Sequence, residues 1–196
     1  MKLTLASSSP YRRQLLERFG LAFEHCAPNV DEHPNPDEDP AHLAERLSIA
    51  KAQAIHSQVP PDNDSLHLII GSDQTAACNG QLYGKPGNAE SAAQQLASLS
   101  GNTAVFYTGV CVLNRANQTQ LSAVVSTKVI FRALDASSIT RYLEREQPFD
   151  CAGSFKAEGL GIALFEAIHS DDPTALTGLP LIRLRQLLEQ SGCQVI

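Results

Sequence analysis

The chain has 196 residues, 43% of them hydrophobic, enough for one α/β domain to bury a core without help from disulfides. Its net charge of −6, from 15 basic and 21 acidic residues, is the wrong balance for a sequence-independent nucleic-acid binder. A phosphorylated small molecule stays open, because it needs only a few cations gathered in one place.

In chain order, Lys2–Ala6 alternates weakly and reads as a strand. Ser7-Ser8-Ser9-Pro10 then switches to a helix carrying Leu15, Leu16 and Phe19, with Ser9 suited to the N-cap, Pro10 to the first turn and Gly20 to the stop. Phe23–Ala27 is a short second strand. Asn29–Pro40 is a polar loop with three prolines and five acids, after which Asp39 caps a helix with Leu43, Leu47, Ala50 and Ala54 on one face. A Pro/Asp-rich turn leads to a buried strand at Leu66–Gly71. Asn79-Gly80 joins Thr75–Cys78 to Gln81–Tyr83 as a hairpin. Asn88 caps a helix through Leu99, ended by Gly101, and two β-type runs follow at Thr103–Leu113 and Gln120–Phe131. Asp135 caps a helix to about Glu146, Ile162–Ile168 reads as a strand, and Leu179–Gln190 as the last helix. Interleaved strands and helices predict an α/β fold with a mixed β-sheet flanked by helices.

The five cysteines (26, 78, 111, 151 and 193) form no CxxC pair, which predicts reduced thiols acting as small buried hydrophobes in a cytosol. The longest apolar runs fall short of the ~20 residues that span a bilayer, and no leader pattern opens the chain, so no membrane partner is expected. The six histidines show no metal-binding spacing.

Four segments set polar residues at the end of a strand or the start of a helix, where α/β sheets bind ligands. Ser7-Ser8-Ser9-Pro10-Tyr11-Arg12-Arg13 combines a helix N-terminus with hydroxyls and two arginines, a pattern suited to phosphate and also to an ordinary capped helix. Lys51, one turn past Leu47, either points along the core or snorkels to water. Asp73, after Ile69-Ile70-Gly71-Ser72, is expected just beyond a buried strand, to hold a metal, accept a proton or cap a turn. Lys85 is displayed by the tight turn Gly84-Lys85-Pro86. There is no P-loop, no dinucleotide fingerprint and no Gly-x-Ser-x-Gly elbow.

Together these segments, with Leu99-Ser100-Gly101, Tyr107-Thr108-Gly109, Cys151-Ala152-Gly153-Ser154-Phe155 and Gly178-Leu179-Pro180, resemble the Maf family along nearly the whole chain. The resemblance implies a single domain over residues 1–196, elongated, with two lobes around a central cleft as in the inosine triphosphatases. It implies hydrolysis of a nucleoside triphosphate between its α- and β-phosphates, with a divalent cation, Mg or Mn, as cofactor. By the same resemblance Asp73 is the proton acceptor, and Ser7, Ser9, Arg12, Lys51 and Lys85 contact phosphate. Glu32 joins Asp73 as a metal ligand. A homodimer is a family expectation, with nothing in the sequence speaking for it.

Members that act on dTTP and UTP usually read Ser-Pro-Arg-Arg, then Asp-Thr, then a late Gln. Here Tyr11, Gln74 and Glu158 stand at those places, which resembles the branch assigned to 7-methyl-GTP. Methylation at N7 makes guanine cationic, and a tyrosine ring against it gains ~0.5–2 kcal/mol. A carboxylate accepting the N1–H and N2–H of guanine adds about 1.5–3 kcal/mol. The alternatives are a dTTP/UTP or broad-specificity pyrophosphatase, and a non-catalytic nucleotide-binding regulator of cell division.

Overall fold

The computed structural model describes residues 1–58 and 66–196. The Pro/Asp-rich turn expected before the third strand lies at 59–65, outside the described residues. The described elements are strands β1 (Lys2–Ala6), β2 (Glu24–Cys26), β3 (His67–Cys78), β4 (Gln81–Tyr83), β5 (Thr103–Asn114), β6 (Gln120–Phe131) and β7 (Phe165–Ser170). The helices are α1 (Pro10–Glu17), α2 (Pro40–Gln58), α3 (Ala89–Leu99), α4 (Ala136–Glu146) and α5 (Leu181–Gln190). The sheet runs β2-β1-β3-β5-β6-β7, with β4 paired to β3. It is mixed: β1 lies parallel to both β2 and β3, whereas β3–β4 and β6–β7 are antiparallel. Among the described residues no helix is long and apolar enough to cross a membrane.

The chain divides into two compact units, and the division falls inside β3, β5 and β6. The first holds Met1–Asp73, Thr108–Val125 and Asp172–Ile196. Its strands are covered on both faces, which is why β3 is buried residue after residue instead of alternating. Leu68 and Ile70 join Leu3, Leu5, Leu16, Val110, Leu184 and Leu188 on the α1 and α5 side. Ile69 turns the other way, to Ala52, Ile55 and Cys111 under α2. The second unit, Gln74–Tyr107 with Ser126–Asp171, is centred on four phenylalanines. Phe106, Phe131, Phe155 and Phe165 meet edge to face, with centroids 4.9–5.7 Å apart.

Local cap chemistry is as expected at three helix starts. Ser9, Asn88 and Asp135 each accept a backbone N–H from the first turn of α1, α3 and α4. Four differences from the sequence reading have physical causes. β3 does not stop at Gly71 but continues through Asp73 to Cys78. Gly71 is a packing glycine, because a Cβ there would lie 2.0 Å from the Ser48 carbonyl oxygen of α2. The buried face of α2 is Leu43, Ala44, Leu47, Ser48, Lys51, Ala52 and Ile55, rotated from the one expected through Ala50 and Ala54. The apolar run at Leu160–Leu164 is a 3-10 turn, and β7 starts only at Phe165. Cys26 is exposed, so not every thiol is a buried hydrophobe.

Candidate active site

The first unit gathers charge around Lys51, in the interior of α2. Gly71 of β3 and Gly109 of β5 both lie against the backbone of α2, Gly109 with the Ala44 carbonyl oxygen 2.2 Å from where its Cβ would be. With no side chains intervening, α2 settles directly on the sheet and turns Lys51 inward, where only 6% of the residue is exposed. Its Nζ donates to Asp73 Oδ1 on β3 at 2.5 Å and pairs with Glu32 Oε1 at 2.6 Å. Asp73 is buried, whereas the Glu32 side chain is 55% exposed. Glu32 sits on the polar loop before α2. That loop is stapled down by Arg46, which donates to the His33 carbonyl and, through two nitrogens, to the Glu38 carboxylate. The bidentate pairing holds Glu38 at a pKa of about 2.

Arg12 belongs to the same group of charges. Burial pushes its guanidinium below the usual value, while Asp73 and Glu32 pull it back up. The guanidinium is aimed by its Nε, which donates to the Gly178 carbonyl at 2.8 Å. Ser72 donates to that same carbonyl and to the Gly109 carbonyl, each at 2.8 Å. Ser7 and Ser9 stand at the start of α1, Ser7 Oγ accepting from Ser9 N and Ser9 Oγ from Arg12 N. Two cations, Arg12 and Lys51, thus balance two carboxylates, and Tyr11 follows Ser9 and Pro10 in the first turn of α1. The structure brings together Glu32, Lys51, Asp73 and Arg12.

Gln74, Lys85 and Glu158 belong to the second unit. Lys85 is exposed on the turn after β4, and Glu158 on a turn after the short 3-10 segment Ala152–Ser154. Gln95 of α3 serves both regions, its Nε2 donating to the Gly84 carbonyl and its Oε1 accepting from Ser154 Oγ. Gly153 and Ser154 both have positive φ, 73° and 62°, which turns the chain sharply around Phe106 and Phe155. The Cys151 thiol beside this turn is pushed up to about 12 by burial, with Asp150 adding to the effect.

The sequence model of the family described as Maf-like protein matches residues 2–191. The chain belongs to the Maf-like proteins. A "7-methyl-GTP pyrophosphatase" of Nitrosococcus oceani is 50% identical, covering 99% of this chain and 95% of its own length. One of the same name from Pseudomonas aeruginosa is 48% identical, with 98% of each chain covered. Among solved structures, the Staphylococcus aureus Ham1 protein is similar at 12% identity, covering 67% of this chain and 72% of its own, with a TM-score of 0.48.

Within this Maf-like chain several side chains that shape one or other of these regions carry no sequence signal of their own. Ser72 and Gln95 act through carbonyl groups that only the folded chain presents to them. Asp172, buried, accepts from Ile182 N, Arg183 N, Thr174 N and Thr174 Oγ1, and so fixes both ends of the loop that contains Gly178. Its distance from α5 in sequence hides it from a search for caps, which looks one to three residues upstream. Among the described residues no three or more His, Cys, Asp or Glu side chains gather to hold a metal. Glu32 and Asp73 do converge on one cationic centre, the Lys51 ammonium.

Proposed function

We propose that this chain is a nucleoside triphosphate pyrophosphatase that cleaves 7-methyl-GTP between its α- and β-phosphates, releasing 7-methyl-GMP and pyrophosphate. The observation that carries the reading is the buried Lys51–Asp73 pair, with Glu32 on the same ammonium, in a family whose relatives of that name share about half of this sequence. A pure binder has no need of a general base, whereas a hydrolase needs a carboxylate to take the proton from the attacking water.

In this reading Asp73 accepts that proton, and Lys51 and Arg12 meet the negative charge that builds up on the phosphates. Ser7 and Ser9, at the positive end of α1, offer phosphate oxygens hydrogen-bond donors. Lys85 adds a further cation. Glu32 and Asp73 fit a hard divalent cation, being two oxygen donors already converged on a positive centre, and the rest of its coordination falls to water and phosphate. When bound, Mg²⁺ or Mn²⁺ supplies neutralisation of the triphosphate that the chain's few cations do not complete. Tyr11, Gln74 and Glu158 are assigned to the base: a ring for the cationic purine, and a carboxylate for its N–H edge. A cytosolic setting, where thiols stay reduced and nucleotide pools turn over, belongs to the same reading.

The test is pyrophosphate release from 7-methyl-GTP, GTP, dTTP and UTP with Mg²⁺ or Mn²⁺. Cleavage of 7-methyl-GTP should exceed each of the others in kcat/KM by at least about tenfold. Equal cleavage of dTTP or UTP overturns the substrate assignment, and binding without turnover points to a regulator instead.

A further inference from the structure

The geometry points to Glu146, the last residue of α4, as the positioning residue for Glu158. The inference rests on the reading of Glu158 as the carboxylate that meets the base. Tyr142 and Glu146 lie one helical turn apart and therefore share a face of α4. That face grips residues 156–160 at three points. Tyr142 Oη accepts from Lys156 N at 3.1 Å, and the Glu146 carbonyl accepts from Lys156 Nζ at 3.2 Å. Glu146 Oε2 accepts from Leu160 N at 2.7 Å, a charge-assisted bond two residues past Glu158.

Between these anchors the backbone closes on itself, Gly159 N and Gly161 N both donating to the Lys156 carbonyl. Of the two glycines, Gly161 is required by contact with backbone, whereas Gly159 is closed in by the Glu146 carboxylate. A Cβ on Gly159 would lie 2.8 Å from Glu146 Oε1, and one on Gly161 would lie 2.3 Å from the Lys156 carbonyl oxygen. Glu158 therefore stands on a turn clamped on both sides, yet its own side chain is exposed. Glu146 and Glu158 both raise the buried Tyr142 phenol further, after burial itself as the main cause, so the two carboxylates share one neighbourhood. Like charges there favour an outward direction for Glu158.

The experiment compares Glu146→Ala, Glu146→Gln, Glu158→Gln and the double variant Glu146→Ala/Glu158→Gln, with 7-methyl-GTP and dTTP as substrates. Glu146→Ala should raise KM for 7-methyl-GTP about tenfold and leave kcat and the residual dTTP cleavage nearly unchanged, since loosening a recognition group costs binding first. Glu146→Gln keeps an oxygen for Leu160 N and should stay within about threefold of the parent. The double variant should be no worse than Glu158→Gln alone, because Glu146 acts only through Glu158. If Glu158→Gln shifts the substrate preference and Glu146→Ala does not, or if the two losses simply add, the positioning role is overturned. If Glu158→Gln itself leaves the preference intact, the reading of Glu158 falls, and the role of Glu146 with it. Should Glu146→Ala fail to fold, Gly159→Ala reaches the same clamp from the other side, its methyl displacing the Glu146 carboxylate. An unchanged KM in that variant also counts against the proposal.

Discussion

The charged residues of the first unit and those of the second are held by different means. Lys51 and Asp73 are buried, and their side chains bond to each other. Lys85 and Glu158 are exposed, and what is fixed is the backbone beneath them, through Gln95 on one turn and Tyr142 and Glu146 on the other. A buried ion pair ties chemistry to stability, since removing either partner strands a charge in poor solvent. An exposed side chain on a clamped turn can change with little effect on the fold. The comparison teaches that the assigned base and its ammonium partner are integrated into the core, whereas Lys85 and Glu158 are side chains that can change at little cost to the fold.

The largest break in this comparison is Asp73→Asn. Asparagine keeps a hydrogen-bonding oxygen for Lys51 but takes up no proton, so kcat should fall about a thousandfold while nucleotide binding, followed by titration calorimetry, persists. Near-normal turnover would move the base elsewhere, with Glu32 the next carboxylate on the same lysine. Lys51→Met and Lys85→Met form a contrasting pair. The first should lose activity about a hundredfold and destabilise the fold by roughly 1–3 kcal/mol, a melting decrease of about 3–10 °C. The second should raise KM and leave melting within about 2 °C of the parent. Equal melting for the two would erase the distinction between the units.

The smallest effect is one of pH. Hydrogen bonds from the Ser138 backbone and the Ser137 hydroxyl hold the Asp135 cap at a pKa of about 2, below the ordinary ~3.9 of an aspartate. A carboxylate depressed on folding stabilises the fold fully above its unfolded pKa and loses that contribution as pH falls through the folded one. The melting difference between parent and Asp135→Ala should therefore hold above about pH 4 and narrow between about pH 4 and pH 2. A difference that widens on acidification would contradict the assigned cap.

Much of the fold is legible in sequence because its signals are local. Ser9-Pro10, Asn88 and Asp135 mark helix starts by chemistry that acts within a few residues, and the structure has them as caps. Gly71 misleads for the opposite reason. It looks like the end of a strand, but its purpose is set by the Ser48 carbonyl, which arrives from α2. Lys51 inherits the same ambiguity, because its direction depends on how α2 is rotated over glycines found on other elements. Leu160–Leu164 has the composition of a strand, and its tighter turn is set by the Glu146 carboxylate on Leu160 N together with the Lys156 carbonyl, which accepts from Gly159 N and Gly161 N. Of the marked residues, Glu32, Arg12, Lys51 and Asp73 converge within the first unit. Nothing in their spacing announces that Ser72 and Arg12 share the Gly178 carbonyl.

The close seat of α2 on Gly71 and Gly109 has a bearing on manufacturing tolerance, in the engineer's sense. Where a helix rests on a sheet through layers of side chains, every rotamer between them adds its own play to the distance across the joint. Here main chain meets main chain at two points, so the distance between the stretches that carry Lys51 and Asp73 has no such play, and only the two side chains themselves are left to be aligned. The accuracy of a carboxylate and an ammonium is thus secured by two methyl groups that are missing.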